Sequence, residues 1–155
     1  NRIKIGKNKV VTFCKDNRLR VFDTQGKLLF EKKCSTHLRD IHISNNNSIL
    51  ISFVDTAQLL NPIGEVILEW SSNPKRSSNT EDWIYSVYAN EDSTKLFLGC
   101  YSGWIYCINL NGEILWEYNT KGIVDKIYSS KSGNSVVTYS SSIKNSNIHF
   151  LKKSN

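Results

Sequence analysis

Apolar residues recur at every second position in short runs, and polar turns interrupt the runs at close intervals. Four such runs are Lys9 to Cys14 (KVVTFC), Ser48 to Phe53 (SILISF), Lys95 to Cys100 (KLFLGC) and Ser135 to Ser140 (SVVTYS). Each follows a polar turn: Lys7-Asn8, Asn45-Asn46-Asn47, Asn90 to Thr94 and Lys131 to Asn134. Before those turns come Arg2 to Ile5, Leu38 to Ser44, Ile84 to Ala89 and Val124 to Ser129. Alternation of period two, bounded by Asn, Ser and Gly, predicts β-strands. No segment keeps an apolar face at helical spacing over three turns. A helical solenoid and a doubly wound α/β sheet therefore fit poorly.

The chain also repeats itself. Leu19 to Glu31 (LRVFDTQGKLLFE) aligns without a gap on Ala57 to Glu69 (AQLLNPIGEVILE) and on Ile105 to Glu117 (IYCINLNGEILWE). Four columns coincide: Asp23, Asn61 and Asn109; Gly26, Gly64 and Gly112; Phe30, Leu68 and Trp116; Glu31, Glu69 and Glu117. The glycine suits a tight turn that needs a left-handed backbone. The Asp or Asn ends the strand before it, where a short side chain bonds turn amides. The large apolar residue belongs on a buried face, and strand alternation turns the neighbouring Glu the other way.

Strand a, turn, strand b, turn, strand c, glycine turn and strand d together span about 38–45 residues, the length of a four-stranded propeller blade. The predicted fold is all-β, a single partial β-propeller domain over residues 1–155 with about four blades. Their boundaries fall near 1–34, 35–73, 81–120 and 121–155. A β-sandwich is the structural alternative, but its strands have no reason to repeat in sequence. Aligning Ile148 with Leu19 and Ile105 leaves the fourth blade without its outer strand. The expectation is therefore part of a larger wheel, or half of one completed by a second copy. The absence of Met and the opening on Asn1 point to a processed, trimmed or excised piece.

Composition changes this picture little. The net charge is +6, but Lys and Arg are scattered singly, the densest groups being Lys75-Arg76 and Lys152-Lys153. Nucleic-acid binders concentrate such residues on one element, so the charge does not predict a nucleic-acid partner. No apolar stretch approaches the roughly 20 residues of a membrane-spanning helix, and no signal peptide is visible. Cys14, Cys34, Cys100 and Cys107 form no C-x-x-C pair and only three His accompany them, so no metal site is expected. Pairing across a Ser102-Gly103 turn sets Tyr101 opposite Trp104, Cys100 opposite Ile105 and Leu98 opposite Cys107. The two sulfurs then share a face on a diagonal, about 7–8 Å apart, too far for a disulfide. Four reduced, mostly buried thiols are expected, which suits a cytoplasmic setting.

The third unit, Gly99-Cys100-Tyr101-Ser102-Gly103-Trp104-Ile105-Tyr106-Cys107-Ile108-Asn109-Leu110-Asn111-Gly112-Glu113-Ile114-Leu115-Trp116, resembles the repeat of quinoprotein-dehydrogenase-like (PQQ-like) propellers. Cys107 takes the small position, Asn109 the Asp position and Trp116 the docking Trp. The segment before the Gly is one residue shorter than the full motif. The WD40-like repeat is the neighbouring family, with the same fold class and repeat length. Its Gly-His start and Trp-Asp ending are absent here: Trp116 precedes Glu117 and Trp70 precedes Ser71. The quinoprotein resemblance implies a bound quinone and a calcium ion. No residue here matches those ligand positions, and no two Cys are adjacent, so no cofactor is expected.

Turns between strands b and c, and connections from d to the next a, share one propeller face. The connection Ser71 to Asp82 (SSNPKRSSNTED) is the longest polar stretch. Such insertions on rigid scaffolds often carry binding. Lys75, Arg76, Trp83 and Trp104 are therefore candidates for a partner-binding patch. Either Trp can instead wedge between blades. Strand-a residues line the axis of a propeller, which makes Arg39, Asp40, Tyr85, Ser86, Asp125 and Lys126 candidates for lining a channel. They can equally pair among themselves around buried water. His37, His42 and His149 lie on separate strands beside no nucleophile motif, and neither a catalytic triad nor a phosphate loop is legible. The expected function is a noncatalytic interaction or scaffold module binding a protein or peptide through its loop face. The alternatives are a small-molecule or sugar sensor and a remnant of a quinone-dependent dehydrogenase.

Overall fold

The computed structural model describes residues 2–34, 37–72, 82–143 and 145–152. Among these residues every regular element is a β-strand. The first sheet is β1 (Arg2–Ile5), β2 (Val10–Phe13), β3 (Arg18–Phe22) and β4 (Leu28–Lys33), and the second is β5 (Asp40–Ile43), β6 (Ile49–Ser52), β7 (Thr56–Leu60) and β8 (Val66–Ser71). The third is β9 (Ile84–Ala89), β10 (Leu96–Cys100), β11 (Trp104–Ile108) and β12 (Ile114–Asn119). The fourth has three described strands, β13 (Ile123–Ser129), β14 (Ser135–Ser141) and β15 (Ser146–Lys152). All pairings are antiparallel and follow chain order, so each sheet is a meander of the kind that forms a propeller blade.

The repeat columns explain the turns before the outer strands. Asp23 Oδ1 accepts the N–H groups of Gln25 and Lys27, both at 2.9 Å. Asn61 Oδ1 accepts those of Ile63 and Glu65 at 3.1 and 3.0 Å, and Asn109 Oδ1 those of Asn111 and Glu113 at 2.9 and 3.0 Å. Gly26, Gly64 and Gly112 follow with φ of 84°, 96° and 80°. Each turn then closes on a register shift, after Val21, Leu59 and Cys107. A left-handed glycine beside such a bulge is the expected pairing in a short hairpin.

Three hydrophobic layers hold the blades face to face. Val11, Phe13, Leu19 and Val21 of the first sheet meet Ile41, Ile49, Ile51 and Leu60 of the second. Leu50, Ala57 and Leu59 on the reverse side of the second meet Ile84, Leu96, Leu98 and Tyr106 of the third. Phe97, Ile105 and Cys107 meet Val124, Ile127 and Val136 of the fourth. The strand alternation visible in the sequence thus feeds two cores from each middle sheet. Burial of this apolar surface is the main stabilising term, at about 25 cal/mol per Å².

The blades are also laced along the rim that carries the a–b turns. Ser44 and Ser93 hydroxyls lie 2.6 Å apart, Asn46 Nδ2 donates to the Asp92 carbonyl (2.9 Å), and Asn45 Nδ2 donates to Glu91 Oε1 (2.6 Å). The Glu91 N–H donates to the Lys131 carbonyl (3.1 Å), and Lys95 Nζ donates to Asn134 Oδ1 (2.7 Å). Lys9 Nζ donates to the Pro62 carbonyl. We call this rim the lower face, and the opposite one, with the b–c turns and the d–a connections, the upper face.

One expected register is corrected. Phe97 pairs with Cys107, Leu98 with Tyr106 and Gly99 with Ile105. The b–c turn holds three residues rather than two: the Gly103 N–H returns to the Cys100 carbonyl (3.1 Å) with Gly103 at φ 91°. The slip of one residue turns Cys100 and Cys107 to opposite faces of the sheet. Cys100 lies in the core toward the second blade and Cys107 in the core toward the fourth. All four cysteines are free thiols.

Candidate binding face

Strand pairing fixes which residues of neighbouring blades stand at equal height. Asp40 pairs with Ser52, Ser86 with Gly99 and Lys126 with Tyr139, and those partners pair in turn with Ala57, Ile105 and Ile148 of the repeat column. The inner strands therefore present tiers. Arg39, Tyr85 and Asp125 form the tier at the upper face, with Asp40, Ser86 and Lys126 one step below. His42, Tyr88 and Tyr128 lie two steps further down.

The second tier is tied together. Asp40 is buried, and its Oδ2 accepts the Val87 N–H at 3.1 Å. Lys126 Nζ, on the fourth blade, reaches within 4.0 Å of Asp40 Oδ1 on the second. That contact passes over the third blade, which requires the inner strands to curve around a common axis. Ser86 is fully buried and its hydroxyl donates to the Val124 carbonyl at 2.8 Å. It joins the third blade to the fourth.

The lower tier is aromatic. The rings of His42 and Tyr88 are 4.0 Å apart, and those of Tyr88 and Tyr128 are 5.7 Å apart. Burial pushes the His42 imidazole down to about 4, with the nearby Lys4 charge acting in the same direction. Sequence reasoning missed this tier. Stepping by two from Asp40, Ser86 and Lys126 reaches it directly.

The upper tier is different in kind. Arg39 lays its guanidinium 4.8 Å from the centre of the Trp83 ring and 5.6 Å from that of Tyr85. Tyr101, 46% exposed on the b–c turn, sits 5.6 Å from Trp83 and 5.8 Å from Tyr85. The Tyr101 N–H donates to the Trp83 carbonyl (2.8 Å), which fixes the turn against the start of β9. Six buried polar atoms at this end have no hydrogen-bond partner: Asn17 Oδ1 on the first blade's b–c turn and, nearer the cluster, Arg39 Nε, Asp82 Oδ2, Trp83 Nε1, Ser102 Oγ and Asp125 Oδ2. Asp82 Oδ1 is used, accepting the Ser102 N–H at 3.2 Å. Burial, reinforced by the Asp82 carboxylate, raises the Cys100 thiol well above its usual range.

Of the candidate patch, Trp83 thus joins Arg39 and Tyr85 in one cluster with Tyr101, a residue the sequence reading did not single out. Trp104 stacks on Tyr106 at 6.3 Å and packs against the core between the second and third blades. Lys75 and Arg76 lie outside the described residues. Ser140 and His149 are hydrogen-bonded at 3.0 Å, with Tyr118 on the other ring nitrogen at 3.5 Å. Ser140 is almost wholly buried, and the pair braces adjacent strands. Among the described residues no group of three or more His, Cys, Asp or Glu is placed to hold a metal ion.

No protein-family model matches the sequence. No curated protein matches it either. Many solved structures share its architecture. One is the β-propeller domain of Cps50 (Swd1) from Myceliophteria thermophila, with a TM-score of 0.69 and 15% sequence identity. The match covers 86% of this chain and 46% of that one, so the chain spans about half of that domain. The likeness carries the fold, a β-propeller.

Proposed function

We propose that this β-propeller is a noncatalytic interaction module that binds a protein or peptide through its upper face. The observation carrying the proposal is the cluster of Arg39, Trp83, Tyr85 and Tyr101, beside five buried polar atoms that bond nothing within the chain. Buried polar groups are nearly always satisfied, so several orphans at one exposed end call for an outside partner. Trp, Tyr and Arg are the residues that dominate binding energy at protein interfaces. A peptide-display library panned against the folded chain tests this. Trp83→Ala and Tyr101→Ala should each weaken the enriched peptides, while Tyr128→Ala at the lower tier should not. Peptides indifferent to both upper-face changes would count against it.

A separate observation supports self-association of the 155-residue polypeptide. Val137, Tyr139, Ile148 and Phe150 hold the positions of Val11, Phe13, Leu19 and Val21, judged by identical pairings. The latter four are buried under the second blade, whereas Tyr139, Ile148 and Phe150 are 42%, 66% and 82% exposed. The surface is built to lie under another blade. A second copy, completing a wheel of about twice this length, would supply one. We read the blades as lying between PQQ-like and WD40-like types, a reading supported by the residues of the third repeat, Cys107, Asn109 and Trp116.

A further inference from the structure

Arg39 brings its guanidinium to the upper face with no ion-pair partner among the described residues. The ion pairs of the described residues employ Arg18, Arg20, Lys126 and Lys131. Arg39 is held instead by the faces of Trp83 and Tyr85. Ring faces fix the plane of a guanidinium but accept none of its in-plane hydrogen bonds. Its Nε–H is buried and unbonded. The group is therefore oriented, partly desolvated and short of an acceptor, which is the state that favours a planar, two-oxygen anion.

We propose that Arg39 receives the carboxylate of an acidic residue in a bound peptide, with Trp83 and Tyr101 holding the adjoining apolar groups. This rests on the reading of the upper face as the interaction surface. The neighbouring acids restrict the anion. Asp125 stands at the rim position equivalent to Arg39, two blades along, and Asp82 immediately precedes Trp83; each keeps an unpaired oxygen. A phosphate dianion meets repulsion from both. A singly charged side chain on a peptide brings backbone N–H donors that those oxygens can accept.

The test takes the peptides enriched from a random display library on the folded 155-residue chain, resynthesised and titrated by fluorescence anisotropy. One Asp or Glu should recur at a fixed position. Changing it to Asn or Gln should weaken binding by about tenfold or more, as expected for loss of a charged hydrogen bond. Arg39→Gln should cost the parent peptide the same factor and leave acidic and amide peptides binding alike. Arg39→Lys, which keeps the charge and loses the fork, should retain part of the preference, and circular dichroism of both variants verifies the fold. Enriched peptides that need Trp83 and Tyr101 but have no fixed acidic residue overturn the carboxylate assignment and leave the upper face standing. So do acidic peptides indifferent to Arg39→Gln, or tighter binding with phosphoserine at the acidic position. Peptides that ignore Trp83 and Tyr101, or no enrichment at all, overturn the face itself.

Discussion

A methyl group added at Gly99 would lie 2.4 Å from Val124 Cγ1, 2.6 Å from Ser86 Oγ and 2.8 Å from Ile127 Cδ1. Relieving these contacts disturbs packed atoms, because Val124 and Ile127 fill the core between the third and fourth blades and Ser86 is bonded across it. Gly99→Ala should therefore destabilise by about 1–3 kcal/mol, the usual cost of overpacking a core, measured by urea unfolding. His42 makes a prediction about pH. Its folded value lies near 4, against 6.5 for a free imidazole. The unfolded chain thus takes up the proton first as pH falls. Stability is full above about pH 6.5 and declines toward about pH 4, by up to about 2 kcal/mol between pH 7 and 5. Urea titrations at the two pH values should show this slope, and His42→Gln should flatten it. An unchanged slope in the variant would remove His42 as its source.

At the scale of the hairpin, the repeat contains a built-in comparison. Where the turn residue is Asn, the residue four on is Glu, and the amide donates to it: Asn61 Nδ2 to Glu65 Oε2 at 2.7 Å, Asn109 Nδ2 to Glu113 Oε2 at 2.6 Å. In the first blade Asp23 is followed by Lys27 instead. Both combinations avoid a carboxylate facing a carboxylate. Asn61→Asp alone should cost roughly 0.5 kcal/mol, and Glu65→Lys on top should restore most of it, as befits exposed charges; thermal unfolding of the double-mutant cycle measures the coupling. These turns were legible in the sequence because an Asx turn and a left-handed glycine depend on residues within one hairpin. The b–c turn was not. A three-residue loop with Gly103 left-handed and a two-residue loop use the same letters, and the difference of one residue reverses both faces of β11. The upper face was legible in part. Trp83 could be placed near it, while Arg39 and Tyr85 were expected only to line the axis; that the three stack together, and that Tyr101 closes the cluster, depends on how blades meet. For Trp104, local position puts it near the same face, while packing turns it toward the core between blades.

At the scale of the molecule, the exposed front of the fourth sheet makes a prediction about mass. The 155-residue polypeptide, 17.7 kDa as a monomer, should sediment as a larger species at micromolar concentration, and Ile148→Glu with Phe150→Glu should return it to monomer. Exposed apolar faces and open strand edges drive such association. A monodisperse monomer of the unaltered chain would remove the second copy from the picture. The two rims also differ in how they are fastened. Below, hydroxyls, amides and lysines stitch every blade to the next. Toward the upper face the described ties between blades are the Ser86 hydroxyl on the Val124 carbonyl, the Asp40 carboxylate on the Val87 N–H and near Lys126, the Ile84 N–H on the Val54 carbonyl (2.8 Å), and the Arg39 guanidinium on Trp83 and Tyr85. Among the described residues these ties gather on the innermost strands, like spokes drawn to a hub, whereas the lower ones spread along the rim. A guest seated on the upper face therefore meets groups already held in place, and the wheel need not come apart to admit it.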